Sequence, residues 1–107
     1  MAQLIYSRRA FLDLERLTDF LFEYDPVAAE HTVNLIAEAV QVLANHPLIG
    51  RDIEEELHEL IISRGRSGYV ALYSYEQHHD TVLVLAIRHQ REAGHTAYEP
   101  DAQDAAG

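Results

Sequence analysis

Thr81-Val82-Leu83-Val84-Leu85-Ala86-Ile87-Arg88 carries six apolar side chains in succession. It is too short for a buried helix and rich in β-branched residues, so it reads as a strand covered on both faces, inside a sheet. Just upstream, Tyr69 to Glu76 alternates in period two, with Tyr69, Ala71, Tyr73 and Tyr75 on one side and Val70, Leu72, Ser74 and Glu76 on the other. The polar turn Gln77-His78-His79-Asp80 joins the two runs into an antiparallel hairpin. Leu57 to Ser63 is a further strand candidate. It is separated from Tyr69 by Arg64-Gly65-Arg66-Ser67-Gly68, whose two glycines can take the positive φ of a tight turn.

Upstream of residue 57 the apolar period lengthens from two to 3.6. Phe11, Leu14, Leu17, Leu21 and Tyr24 form one stripe, widened by Leu12 and Phe20, with Asp13, Glu15, Arg16, Asp19 and Glu23 on other faces. This is an amphipathic helix, and Ser7 can cap its start. Asp25-Pro26 ends it and opens a second, since Asp is a good N-cap and Pro suits the first helical position. Val33, Ile36, Ala37, Val40, Leu43 and Ala44 continue the pattern until Asn45-His46-Pro47 stops it. With almost no linker, the two helices form a hairpin. Gln3-Leu4-Ile5-Tyr6 reads as a first strand, and Leu48 to Glu56 as a connection whose Glu54-Glu55-Glu56 run is solvated.

The resulting order is β-α-α-β-β-β, an α+β domain with the helical hairpin on one face of a mostly antiparallel sheet. The expected core is Leu14, Leu17, Leu21, Ile36, Val40, Leu43, Leu72, Val82 and Val84, with Leu83 and Leu85 as alternates. A single domain is expected over 1–95, and 96–107 reads as an acidic, mobile tail.

Composition narrows the function. The 107 residues include no cysteine, which excludes disulfides, thiol nucleophiles and thiolate metal sites. No apolar run approaches the roughly 20 residues of a membrane span. The opening Met-Ala-Gln-Leu-Ile-Tyr lacks the features of a signal peptide, so a cytoplasmic protein without membrane contact is expected. Net charge is −10, which disfavours general nucleic-acid binding. All eight bases are arginines, and residues 57–95 hold four of them against four acids. The segment after the first helices is therefore locally neutral in an acidic chain.

No phosphate loop, dinucleotide fingerprint, zinc-protease or serine-hydrolase motif is present. His58, His78, His79, His89 and His95 are scattered without ligand spacing, so neither a metal nor another cofactor is expected. The constellation that carries chemistry is Arg88-His89-Gln90-Arg91-Glu92, directly after the central strand. Antiparallel pairing sets residue 69 opposite about residue 88. Arg64, Arg66, Tyr69, Arg88, His89 and Arg91 are thereby expected at one end of the sheet, where guanidiniums can bind carboxylate or phosphate bidentately. The competing reading is local ion pairing with Glu59 and Glu92. Tyr69, Tyr73 and Tyr75 can stack bases, but a face turned toward helices gives them a packing role.

The element order, the Arg-Ser-Gly-Tyr-x-x-x-Tyr segment of residues 66–73 and the closing Val-Leu-Val-Leu-Ala-Ile-Arg-His-Gln-Arg-Glu of residues 82–92 resemble the RelE/ParE toxins of type II toxin–antitoxin modules, also called plasmid stabilisation proteins. The resemblance covers about residues 2–93. It implies a growth-inhibiting toxin neutralised by a cognate antitoxin in a hetero-oligomer. RelE-like members cleave mRNA on the ribosome and carry arginine after the Gly-Tyr of the third strand; here that position is Val70. ParE-like members inhibit DNA gyrase and are not enzymes, and their last strand resembles the His89-Gln90-Arg91 ending. The expectation is therefore a ParE-like inhibitor with Arg64, Arg66, Arg88, His89 and Arg91 as target-binding residues. The alternatives are a ribonuclease using Arg91, His89, His95 and Tyr98, and an inactive binding module with the same fold.

Overall fold

The structure, a computed structural model, describes residues 1–62 and 68–89. The expected 96–107 tail lies outside the described residues. Strand β1 (Gln3–Tyr6) leads into helix α1 (Arg8–Tyr24) and helix α2 (Pro26–Gln41), which closes in one 3-10 turn, Val42–Ala44. Strands β2 (Arg51–Glu54), β3 (Leu57–Ile61), β4 (Tyr69–Glu76) and β5 (Thr81–His89) follow. They form one sheet of order β1-β5-β4-β3-β2. The β2–β5 run is antiparallel throughout, and β1 joins β5 in parallel.

The sequence reading missed β2, because Arg51-Asp52-Ile53-Glu54 offers a single apolar side chain and runs into two more glutamates. The strand is a short, charged sheet edge, a form that discourages pairing with another chain. The glutamate run is the end of β2 and its hairpin loop, with Glu56 in the left-handed region at φ 59°. The meander thus has four strands rather than three. β5 is interior, as expected, but β4 is the middle strand.

Local chemistry explains the helix ends. Ser7 Oγ accepts from Ala10 N at 3.0 Å and opens α1. Asp25 serves both helices: its N–H donates to Leu21 O at 2.8 Å, and its Oδ1 accepts from Val27 N and Ala28 N at 3.0 and 3.3 Å. One residue therefore terminates α1 and caps α2. Both helices bury their apolar stripes on the same sheet face, where Ala10, Ile36, Val40 and Leu43 meet Tyr69, Ala71, Tyr73, Val82, Val84 and Ile87. Leu14 and Leu17 are half-buried at the margin of this core rather than inside it. Leu21 is likewise half-buried, and Ala37 is exposed. Leu72 is buried but belongs to a second cluster on the opposite face, with Leu57, Ala86, Ile53 and Leu85. Two clusters on two faces are why the last strand is apolar throughout.

A register shift breaks the β4–β5 ladder: Tyr73 faces Val84, but Leu72 faces Ala86. The extra β5 residue, Leu85, is a β-bulge, and it reverses the side-chain parity beyond it. Val82 and Val84 face the helices, and after the bulge Ile87 does. β1 ends its pairing at Tyr6–Val84, which leaves the rest of that β5 edge without a strand. Helix α1 supplies the missing partners. Ser7 Oγ donates to Leu85 O at 3.1 Å, and the buried Asp13 accepts from Ile87 N through Oδ2 at 3.0 Å.

Val40 is fully buried, so Val40→Asp places an unpaired charge in the core at a cost of several kcal/mol. Loss of the folded circular-dichroism spectrum is expected. Asp13→Ala leaves the Ile87 N–H unsatisfied, and urea titration should show a loss of about 1–3 kcal/mol with the fold retained.

Candidate functional site

The sheet end built from Tyr69 and His89 is where the arginine constellation was expected. Arg64, Arg66, Arg91, His95 and Tyr98 lie outside the described residues, as does Glu92. Arg88 and His89 are described, and they occupy opposite faces. Tyr69 pairs with His89 and Val70 with Arg88. Tyr69 belongs to the helix-side core, and its ring meets His89 edge-to-face at 5.2 Å between centroids. Arg88 therefore lies beside Val70 on the face that carries Leu72 and Ala86. An unbulged strand would have set Arg88 on the helix side with Val84. Both residues are half-buried, so the two groups bracket the end of the strand from two sides.

Burial raises the Tyr69 hydroxyl above its ordinary value of 10.0, partly opposed by its hydrogen bond with Thr32. Tyr69 thus stays a neutral phenol that ties β4 to α2, in line with its expected packing role. Glu59, considered above as a partner for the sheet-end arginines, is instead engaged by Arg51 at 2.7 Å across β2–β3. His78 and His79 are exposed in a 3-10 turn at the other end of the β4–β5 hairpin.

A second polar group escaped the sequence reading. His58 is buried, its Nδ1 lies 2.8 Å from Asp52 Oδ1, and its ring stacks on Tyr73 at 5.2 Å. Tyr73 Oη in turn accepts from Gly50 N at 2.9 Å. Burial chiefly raises the Tyr73 hydroxyl; the Gly50 N–H lowers it, and the Asp52 charge raises it further. The available signal was the cross-strand pairing of 58 with 73, which requires the register to be known. The group fastens the segment after α2 to the sheet.

Residues 4–94 match the family model described as ParE toxin of type II toxin–antitoxin system, parDE. The chain belongs to this family of toxins. The Caulobacter vibrioides toxin RelE3 is 36% identical over 84 residues, which span 78% of this chain and 89% of RelE3. Toxin RelE2 of the same organism is 32% identical over 62 residues, 58% of this chain and 70% of RelE2. The fold of this ParE-family chain is shared with a chain of the chromosomal ParDE toxin–antitoxin system from P. aeruginosa, at TM-score 0.68 and 22% identity over 83% of this chain and 96% of that one. The isolated E. coli RelE toxin matches at TM-score 0.60 and 14% identity over 99% and 95%. The α+β architecture expected from the sequence is that of these toxins. None of the described helices is long and apolar enough to cross a membrane.

Two expectations follow. A Cβ at Gly50 would sit 2.6 Å from Tyr73 Oη and 2.9 Å from Glu59 O. Gly50→Ala must displace a buried ring or backbone and should cost about 1–3 kcal/mol by urea titration. Tyr6, Tyr69 and Tyr73 all ionise above the ordinary 10.0 in the folded chain. The unfolded chain therefore loses these protons first, so the tyrosines leave stability untouched below pH 10 and lower it as pH rises through 10. Thermal melting between pH 8 and pH 11 should show a falling Tm above pH 10, with the fall reduced in Tyr6→Phe.

Proposed function

We propose that this toxin acts by protein–protein contact, inhibiting DNA gyrase in the cytoplasm, and that a cognate antitoxin neutralises it by forming a hetero-oligomer. The observation that carries the reading is the make-up of the sheet face at Arg88. Val70 stands across from Arg88, and Leu72, Ala86 and Leu57 continue that side of the sheet as a buried apolar cluster. Arg51 in the same face is engaged by Glu59. Binding an RNA backbone needs cations distributed along its phosphates. A half-buried guanidinium at the end of an apolar strand suits a carboxylate or carbonyl of a protein partner better than a run of phosphates, and a net charge of −10 argues in the same direction. Arg64, Arg66, Arg88, His89 and Arg91 are the proposed contact residues. The antitoxin is supported by the RelBE2 pair of Mycobacterium tuberculosis and the RelBE pair of E. coli, both toxin–antitoxin complexes.

The names of the C. vibrioides relatives favour a second reading, a RelE-like ribonuclease. There Arg91 would stabilise phosphate charge, while His89, His95 or Tyr98 would move protons.

Expression of the chain without antitoxin separates the two. Loss of plasmid supercoiling with intact mRNA is the expected outcome; cleaved mRNA with unaffected gyrase overturns it. Arg88→Ala and Arg91→Ala should each abolish growth inhibition while leaving circular dichroism unchanged. If both variants stay fully toxic, the functional surface lies away from this sheet end.

A further inference from the structure

β5 buries side chains on both faces of the sheet. Val82, Val84 and Ile87 lie in the helix-side core and Ala86 in the opposite cluster, all fully buried. A strand with one buried and one wet face has its register dictated by that contrast; a strand buried on both faces does not. Without the bulge, Ala71 would pair with Ala86 and Tyr69 with Arg88. Ile87 and Ala86 would then trade places between two apolar clusters. At the polar end, Arg88 would turn to the helix side and His89 away from it. Side-chain burial therefore separates the two registers weakly, although they differ at the candidate site.

Backbone contacts separate them sharply. In a regular strand successive carbonyls point to opposite sides. Here Val84 O accepts from Ser7 N at 2.9 Å and Leu85 O accepts from Ser7 Oγ at 3.1 Å, so one residue binds two successive carbonyls from the same side. The bulge makes this possible. Two residues on, Ile87 N also points toward α1, where Asp13 Oδ2 accepts it at 3.0 Å. In the unbulged register the Leu85 carbonyl and the Ile87 amide would both turn toward β4. Each contact thus requires the bulged register, and both are made by the start of α1. Ser7 is itself fixed there, since its Oγ also accepts from Ala10 N at 3.0 Å.

We propose that Ser7 and Asp13 are positioning residues for the candidate site: acting through the bulge at Leu85, they hold β5 in the register that sets Arg88 on one face and His89 on the other. The inference rests on the reading of Arg88 and His89 as target contacts and adds what aims them. Bulges elsewhere re-aim side chains beside functional sites. In this fold the device is held from a different layer, so the aim of the strand end depends on how the first turns of α1 are seated.

The test is NMR of the full chain, with growth inhibition measured for the same variants expressed without antitoxin. Because Ile87 N faces α1, Ala71 and Ile87 form a non-hydrogen-bonded pair with Cα atoms about 4.5 Å apart, and a strong Hα–Hα cross-peak is expected between them. The unbulged register replaces it by an Ala71–Ala86 cross-peak. Ser7→Ala combined with Asp13→Ala should lose the Ala71–Ile87 cross-peak and growth inhibition together. Asp13→Asn, whose amide oxygen can still accept from Ile87 N, should keep both. If the double variant does not fold, Asp13→Ala alone decides by the same cross-peak. A folded variant that keeps the wild-type cross-peak overturns the proposal, because packing then holds the bulge unaided. A lost cross-peak with undiminished growth inhibition also overturns it, because the target is then indifferent to the register. Growth inhibition that survives Arg88→Ala and His89→Ala overturns the contact reading and the proposal with it. That failure is told apart by its occurrence with the Ala71–Ile87 cross-peak in place.

Discussion

The hydrogen bond from Ile87 N to Asp13 Oδ2 joins residues 74 positions apart and settles how the helical layer meets the sheet. β1 is too short to cover β5, so a stretch of interior strand would otherwise bury unpaired backbone groups. A carboxylate from the second turn of α1 and the Ser7 hydroxyl meet this need from the side. The solution fixes the height and rotation of α1 over the sheet, and with it the flank that faces outward. Asp13 is the only charged side chain buried in α1. Its burial is tolerable because the carboxylate accepts a backbone donor and has two guanidiniums within ion-pair range.

Much of this was legible in the chain. The helices announced themselves through Asp25-Pro26 and the 3.6-residue stripes, and the β4–β5 hairpin through the change of period at residue 57. The remainder depended on tertiary geometry that no local pattern carries. Asp13 looked like one polar residue among several on an amphipathic helix, and only the shortfall of β1 gives it a buried partner. β2 was hidden because its residues favour solvent, and its stability comes from pairing with β3. The bulge at Leu85 was invisible because every residue near it is apolar, so a shift of one position leaves the hydropathy pattern intact. That shift nonetheless decides which face Arg88 and His89 occupy.

The candidate site was legible as a list of residues, of which the described ones are Arg88 and His89. Sequence proximity gathered Arg88 and His89 into one cluster; the strand pleat sets them on two faces. A partner touching both must reach around the end of β5, which is a demand on shape as much as on charge. The Asp52–His58–Tyr73 group has no motif, since its members come from three strands and converge only once the meander is in register.

The parallel pairing of β1 with β5 sets a timetable. Gln3 and Leu4 lie beside Thr81 and Val82, so the first strand made waits for the last. During synthesis the helical hairpin can form locally, with Asp25 already in place, but the sheet cannot close and Asp13 has no amide to bind until Ile87 has left the ribosomal tunnel. Closures over such sequence distances come late. A truncated product of this gene would hold helices and an incomplete sheet, without the end that carries Arg88 and His89. The sheet thus closes only once β5 has been made, and termination before Ile87 yields a fragment rather than a weakened fold.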